Sequence, residues 1–305
     1  MERPKIAIWT EDGWALGLIY RSLQKALSYK YQIDIYDWKN PIHNYELWQK
    51  EKWKEYDIIT GNSAINWMAE STGFISNTPK ELLNKMVVSI WAKPNPDDPH
   101  FNVKLKYLDG PLFTSPTDEI STELKRIYNI DSHRVIAGKL VDEFKPVKKV
   151  KRINVLGMNG HPSIGEGWCK IKRPEMLNEI ASLTATNVHY IFDSKESGSN
   201  LYKDIDMYVC TSLHEAGPGG IIECALAKIP VISTSVGHAK ELKSIKTFAT
   251  VNEAVDIINH LNESSENIES YINSMYEEAV EKFSMRGNVE KYWVPVFEKR
   301  LEINR

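Results

Sequence analysis

The chain has 305 residues, 42% hydrophobic and 26% charged, which suits one large or two modest globular domains and excludes wholesale disorder. Its 38 basic and 41 acidic residues give a net charge of -3 with neither half strongly basic, an argument against nucleic acid held on a long cationic surface. Cys169, Cys210 and Cys224 are too few and too scattered for a disulfide framework or zinc cluster and suit a reducing cytoplasm, no apolar run nears the ~18 residues of a membrane span, and Glu11 and Asp12 fall where a signal peptide would be apolar.

Short apolar runs alternate with helical patterns from the start. KIAIWT reads as a strand, about 16–28 as a helix, QIDIYDW as a strand, about 45–55 as a helix and YDIIT as a strand, the rhythm of parallel βαβ units. The rhythm continues through strands at 86–91 and 110–114 and a helix near 117–128 to VIAGKLVDEFKP. Seven of the nine tryptophans lie in the first 91 residues, where core packing is the simplest use for them. Pro94, Pro96 and Pro99 exclude a central strand or helix interior, so WAKPNPDDPHF is a loop at a strand's carboxyl end, with Trp91, Lys93 and His100 as candidate contacts for an acceptor molecule. Gly13 and Trp14, in the turn after the first strand, are candidate donor contacts; Gly13 and Gly17 do not make a dinucleotide fingerprint.

KPVKKVKR, at 145–152, reads as a solvated basic hinge between domains. The second half then restarts the pattern with RINVLGM, a helix at about 174–183, VHYIF, IDMYVCTS, a helix at about 220–227, PVISTS and helices to the end. The polar stretch 262–270 reads as an exposed turn with helix caps.

The informative stretch is 206–242, which reads strand, loop, glycine-rich turn, helix, strand. A buried strand delivers Ser212, His214 and Glu215 to its carboxyl end, and Gly217, Pro218, Gly219 and Gly220 turn the chain sharply into a helix. Unpaired N–H groups and the positive end of the macrodipole at such a helix start hold a phosphate or diphosphate. Glu223 falls about one turn inside that helix. A carboxylate accepts from two adjacent hydroxyls, so Glu223 could hold a ribose and Glu215 a second sugar, the groups of a nucleoside diphosphate sugar; the bland alternative is a helix cap and a surface acid.

This stretch resembles the Glu, seven residues, Glu signature of the retaining GT-B glycosyltransferases of family 4. VIAGKLVDEFKP resembles the segment that closes the family's first domain, YKDIDMYVCTS its strand into the donor loop, and FSMRGNVEKYWVPVFEKRL its closing helices. The resemblance covers roughly 110 to the end and implies an α/β fold of GT-B architecture, two doubly wound Rossmann-like domains facing each other across a cleft. It implies an acceptor domain at 1–145, a donor domain at 146–287 and a last helix, about 288–305, returning to the first. It further implies a hexosyl- or pentosyltransferase that needs no metal or other cofactor, with a UDP-sugar or GDP-sugar as co-substrate and a saccharide or glycoconjugate as acceptor.

Carried over by position, Glu223 would bind the ribose, Glu215 the donor sugar, and the amides near Gly219 and Gly220 the diphosphate. The family's phosphate-binding Lys matches Lys172, with Lys170 and Arg173 as neighbours able to substitute, and the base would lie near Phe192 and Asp193. Three departures stand out. No Arg follows the strand before GMNGHPSIGEG, Lys228 and His238 replace common glycines, and only thirteen residues, 193–205, separate VHYIF from the next strand, so one βα unit is missing.

The implied course retains configuration: the leaving phosphate takes the acceptor proton while helix amides and Lys172 stabilise its charge. A hydrolase would need carboxyls facing at about 5 to 9 Å, which this spacing does not establish. Two other readings remain, a non-catalytic nucleotide-sugar binder and an enzyme whose acceptor is a modified nucleic-acid base.

Overall fold

A computed structural model describes residues 2–11, 15–61, 78–92, 94, 109–192, 196, 198–217 and 219–304. The chain divides into two compact units, Met1–Gly138 with Met285–Arg305, and Lys139–Ser284. Of the sequence candidates, Gly13, Trp14, Lys93, His100, Asp193 and Pro218 lie outside the described residues.

The first unit carries a six-stranded parallel sheet of order β2-β1-β3-β4-β5-β6, made of β1 Lys5–Thr10, β2 Gln32–Asp37, β3 Ile58–Gly61, β4 Met86–Ser89, β5 Leu112–Ser115 and β6 Ser132–Arg134. Ile6, Ala7, Ile8 and Trp9 of β1 are wholly buried, as a strand covered on both faces must be. Helix α1, Ala15–Leu27, lays Ile19, Tyr20, Leu23 and Leu27 on the core, and α2, Asp118–Tyr128, starts where the Thr117 side chain accepts from the amide of Ile120.

Two expectations are corrected here. The segment 45–55 is not one helix: Glu51 takes a left-handed φ of 55°, which splits it into a wide turn, Tyr45–Gln49, and a tight one, Lys52–Glu55. Trp91, expected to offer an aromatic face to an acceptor, is 9% exposed; its Nε1 donates to the Tyr20 hydroxyl at 3.2 Å and its ring meets Tyr20 edge-on. Trp9, Trp48, Trp53 and Trp293 are core side chains as well.

The second unit carries a five-stranded parallel sheet of order β11-β10-β9-β7-β8, from β7 Val155–Asn159, β8 Asn187–Ile191, β9 Met207–Cys210, β10 Val231–Ser233 and β11 Lys246–Thr247. Its helices are α3 Glu166–Lys172, α4 Pro174–Leu183, α5 Gly219–Leu226, α6 Val251–Asn262 and α7 Ser265–Phe283. The chain leaves α7 for α8, Met285–Tyr292, and α9, Val294–Ile303, which belong to the first unit. There Trp293 Nε1 donates to the Ile136 carbonyl at 3.2 Å, and Arg300 donates to the carbonyls of Asn84 and Gly110, each at 2.6 Å.

The basic stretch at 145–152, read as a hinge, lies wholly inside the second unit. Val150 is 5% exposed, and Lys148 pairs with Asp206 at 2.7 Å while that carboxylate also accepts from the amides of Asn154 and Val155. Lys228, one of the two positions where the resemblance leads one to expect glycine, takes a left-handed φ of 58°, a conformation that costs a non-glycine residue strain.

A carboxylate clamp fastens α7 to the segment that precedes β11. Glu278 accepts from the amides of Lys243 (2.9 Å) and Ser244 (2.7 Å), the Ser244 hydroxyl (2.6 Å) and the Lys282 ammonium (2.6 Å). Burial pushes its pKa up, but the Lys282 and Ser244 side chains and then the two amides outweigh burial and hold the carboxyl at about 2. A carboxyl depressed in the folded state stabilises above its unfolded pKa and loses that contribution as the pH falls. Glu278→Gln should therefore cost about 2 kcal/mol at pH 7, discounted for partial solvent contact, and the gap between the two urea midpoints should shrink from about pH 4.5 towards 2. Equal midpoints at pH 7 would remove the clamp from the account.

Candidate functional site

In the second sheet the chain runs from β7 outward to β8 and then crosses back to β9 on the other side of β7. Open parallel sheets bind ligands beside the carboxyl ends of strands at such a reversal. Here those ends are Asn159 of β7 and Cys210 of β9, with Gly157 aligned on Tyr208 between them.

The glycines of the turn have identifiable neighbours. A Cβ added at Gly220 would lie 2.6 Å from the ring of Tyr208, so only glycine lets the start of α5 press onto β9. One added at Gly217 would lie 2.3 Å from Nε2 of His238, a residue buried under the turn with Nδ1 3.2 Å from Glu241. The first turn of α5 is thus held close to the strand ends, with its leading amides free of the hydrogen bonds that a helix interior supplies.

Two segments about forty residues apart in sequence meet beside that turn. Helix α3 ends at Lys172, Arg173 turns the chain with a left-handed φ of 53°, and Pro174 opens α4. Arg173 Nε donates to the Thr211 carbonyl at 2.6 Å, the Thr211 hydroxyl donates to the carbonyl of Arg173 at 3.1 Å, and the Leu213 amide donates to the Ile171 carbonyl at 2.8 Å. Fastened this way, Lys172 forms an ion pair with Glu215, whose Oε1 also accepts from the Ser212 hydroxyl at 2.9 Å. The Lys172 and Glu215 side chains keep 27% and 16% of their surface exposed, which leaves the pair open to a ligand.

Glu223 differs from the open carboxylate that its place in the sequence suggests. It is 7% exposed, Oε1 lies 2.6 Å from the ammonium of Lys139, and Oε2 accepts from the Tyr202 hydroxyl at 2.5 Å. Asn159 Nδ2 reaches that hydroxyl at 3.4 Å. Burial raises the Glu223 pKa, but the charge and hydrogen bond of Lys139, with Tyr202, outweigh burial and leave it below the ordinary carboxylate value. Tyr202 is pushed well above the usual tyrosine range, first by burial and then by Glu223. Sequence reasoning missed Lys139 and Tyr202. A lysine inside the apolar run VIAGKL was the available signal for the first, and nothing marked the second.

The other candidates divide. Lys170 lies outside the cluster, exposed and paired with Glu166 at 2.7 Å, and His214 is exposed. Phe192, 51% exposed, stacks on His161 at 5.9 Å, and His161 meets Tyr190 edge-on. His161 Nδ1 accepts from the Ser163 amide, which orients the ring. Among the described residues no group of three or more His, Cys, Asp or Glu side chains could hold a metal ion, and no helix is long and apolar enough to cross a membrane.

No family model and no curated protein matches the sequence. Solved structures do match. HepE of Anabaena, in complex with UDP and glucose, is 13% identical with a TM-score of 0.69 over 98% of this chain and 99% of its own. Sucrose-phosphate synthase of Thermosynechococcus elongatus is 14% identical with a TM-score of 0.66 over 99% and 100%. WaaG, a glycosyltransferase involved in lipopolysaccharide biosynthesis, is 12% identical with a TM-score of 0.62 over 98% and 99%. At these identities the likeness is one of fold: two parallel-sheet α/β domains of the GT-B glycosyltransferase type.

The packing of α5 onto β9 gives a direct test. Gly220→Ala should lower stability by about 1 to 3 kcal/mol through overpacking against Tyr208, and pairing it with Tyr208→Leu should recover part of the loss in thermal melts. Additive losses in the double variant would show that the two residues do not share the contact.

Proposed function

We propose that this chain is a glycosyltransferase that moves a sugar from a nucleoside diphosphate sugar to the hydroxyl of a saccharide or glycoconjugate, with retention of configuration. The observation that carries the reading is the meeting of Lys172, Arg173, Ser212 and Glu215 beside the glycine-opened start of α5, at the reversal point of a parallel sheet. HepE, a structure of the same fold, holds UDP and glucose, which makes a UDP-sugar the first donor to test and a GDP-sugar the second. Three unpaired cysteines suit work in a reducing cytoplasm.

In this mechanism the α5 amides and Lys172 receive the diphosphate, Glu215 accepts from hydroxyls of the donor sugar, and Phe192 with His161 offers an aromatic surface to the base. The second lone pairs of the Glu223 oxygens, left over by Lys139 and Tyr202, accept the ribose hydroxyls. As the bond between the anomeric carbon and the phosphate oxygen breaks, charge gathers on the departing diphosphate, where fixed amides and a cation stabilise it best. The acceptor oxygen bonds to the anomeric carbon on the face the phosphate leaves, and a phosphate oxygen takes the acceptor proton. No protein nucleophile and no bound metal is used.

A panel of UDP- and GDP-sugars, read by release of nucleoside diphosphate with mono- and oligosaccharide acceptors, tests the reading; nucleotide binding without release under any pairing would overturn it. Lys172→Ala should lower kcat about 10²-fold or more with a smaller change in KM, since its charge acts mainly on the leaving group. Glu215→Ala should cut turnover far more than it weakens binding of free UDP. Were both quantities to fall together, Glu215 would be a loop-ordering residue.

A further inference from the structure

We infer that Lys139 is a positioning residue of the donor site: its buried ammonium holds Glu223 in place at the head of α5 and cancels the acid's charge, so that a diphosphate can be held there. The inference rests on the proposed donor site and adds a residue to it. Lys139 is the first residue of the second unit and is 2% exposed. Its backbone is pinned, with the amide donating to the Phe283 carbonyl at 2.9 Å and a parallel bridge to Ser284. The ammonium reaches Glu223 Oε1 at 2.6 Å, and among the described residues no second acceptor meets it, although an ammonium carries three donors.

The location of the pair argues for more than a structural role. Glu223 Oε1 lies 3.2 Å from the position a Cβ on Gly219 would take, so the carboxylate sits against the first residue of α5. An uncompensated carboxylate there would itself occupy the positive end of the helix and repel a phosphate brought to the same amides. With Lys139 the two charges sum to zero, and Tyr202 fixes the second oxygen. As a stabilising device the pair is poor, because burying two charges costs about what their attraction returns and an apolar pair of similar volume would serve the fold as well.

The groups facing Glu223 from the packed elements are Lys139, Tyr202 of the turn before β9 and its neighbour Cys224 on α5, with Tyr208 of β9 beyond, edge-on to Tyr202. Burial above all holds both tyrosines and the thiol well above their usual ranges, so they stay neutral near pH 7 and, among the described residues facing the acid, Lys139 carries the balancing charge.

The test is UDP affinity by calorimetry from pH 5.5 to 8.5 for the native protein and for Lys139→Met, Glu223→Gln and the double variant, each expressed as a ratio to the native Kd so that ionisation of UDP cancels. Lys139→Met should weaken UDP binding at least about tenfold at pH 8.5, and the ratio should fall towards one as the pH drops, because protonation removes the unbalanced charge of Glu223. Adding Lys139→Met to Glu223→Gln should cost less than about threefold at every pH, since the lysine acts through the acid. A folded Lys139→Met with native affinity, or with a loss that does not change with pH, overturns the inference. If that single variant fails to fold, the double variant against Glu223→Gln decides, and a loss well beyond threefold overturns it. Failure of the native protein to bind either UDP or GDP defeats the donor-site reading and this inference with it, whereas normal UDP binding with a flat ratio defeats Lys139 alone.

Discussion

Everything at the site depends on how closely a helix start can be pressed onto the end of a parallel strand. Where α5 meets β9 the ring of Tyr208 occupies the space any side chain at position 220 would need. Glycine removes that obstacle and lets the start of α5 approach β9 closely. Helix amides are weak partial charges whose effect fades within a turn, so their value to an anion falls quickly with distance. For the proposed diphosphate the close contact is therefore an electrostatic requirement as much as a packing one.

Much of the fold is legible in the sequence because parallel strands buried on both faces leave runs such as KIAIWT and MYVC, and the crossover helices between them carry a 3.6-residue period. The elements that escape notice lack those marks. Strand β6 is Ser-His-Arg and only half-buried, and β11 is an exposed Lys-Thr edge, so neither shows an apolar run. The segment 45–55 keeps a helical pattern, but the left-handed Glu51 interrupts it, a backbone choice that composition does not announce.

The site is legible to a similar degree, for a related reason. Glu215, Ser212 and the glycines share one loop, so their nearness follows from sequence. Lys172 joins them through the Thr211 and Arg173 hydrogen bonds, which a resemblance could suggest and spacing could not. Tyr202 and Lys139 reach Glu223 only because separate segments converge on it, and no local pattern encodes such a meeting. Trp91 shows the opposite error: an aromatic beside a prolyl loop looks like a sugar platform until the ring is found against Tyr20.

The two lysine–glutamate pairs are alike in chemistry and unlike in setting, and the difference assigns them different work. Lys172 and Glu215 remain 27% and 16% exposed, where water screens their attraction and either partner can be exchanged for a ligand group at small cost. The Lys139 and Glu223 side chains are 2% and 9% exposed, where separating the charges would leave the ammonium without solvent or partner and the carboxylate with Tyr202 alone. A ligand can open the first pair and cannot readily open the second. On the proposed reading the exposed pair engages the phosphate and sugar of the donor, while the buried pair leaves the floor of that site without net charge.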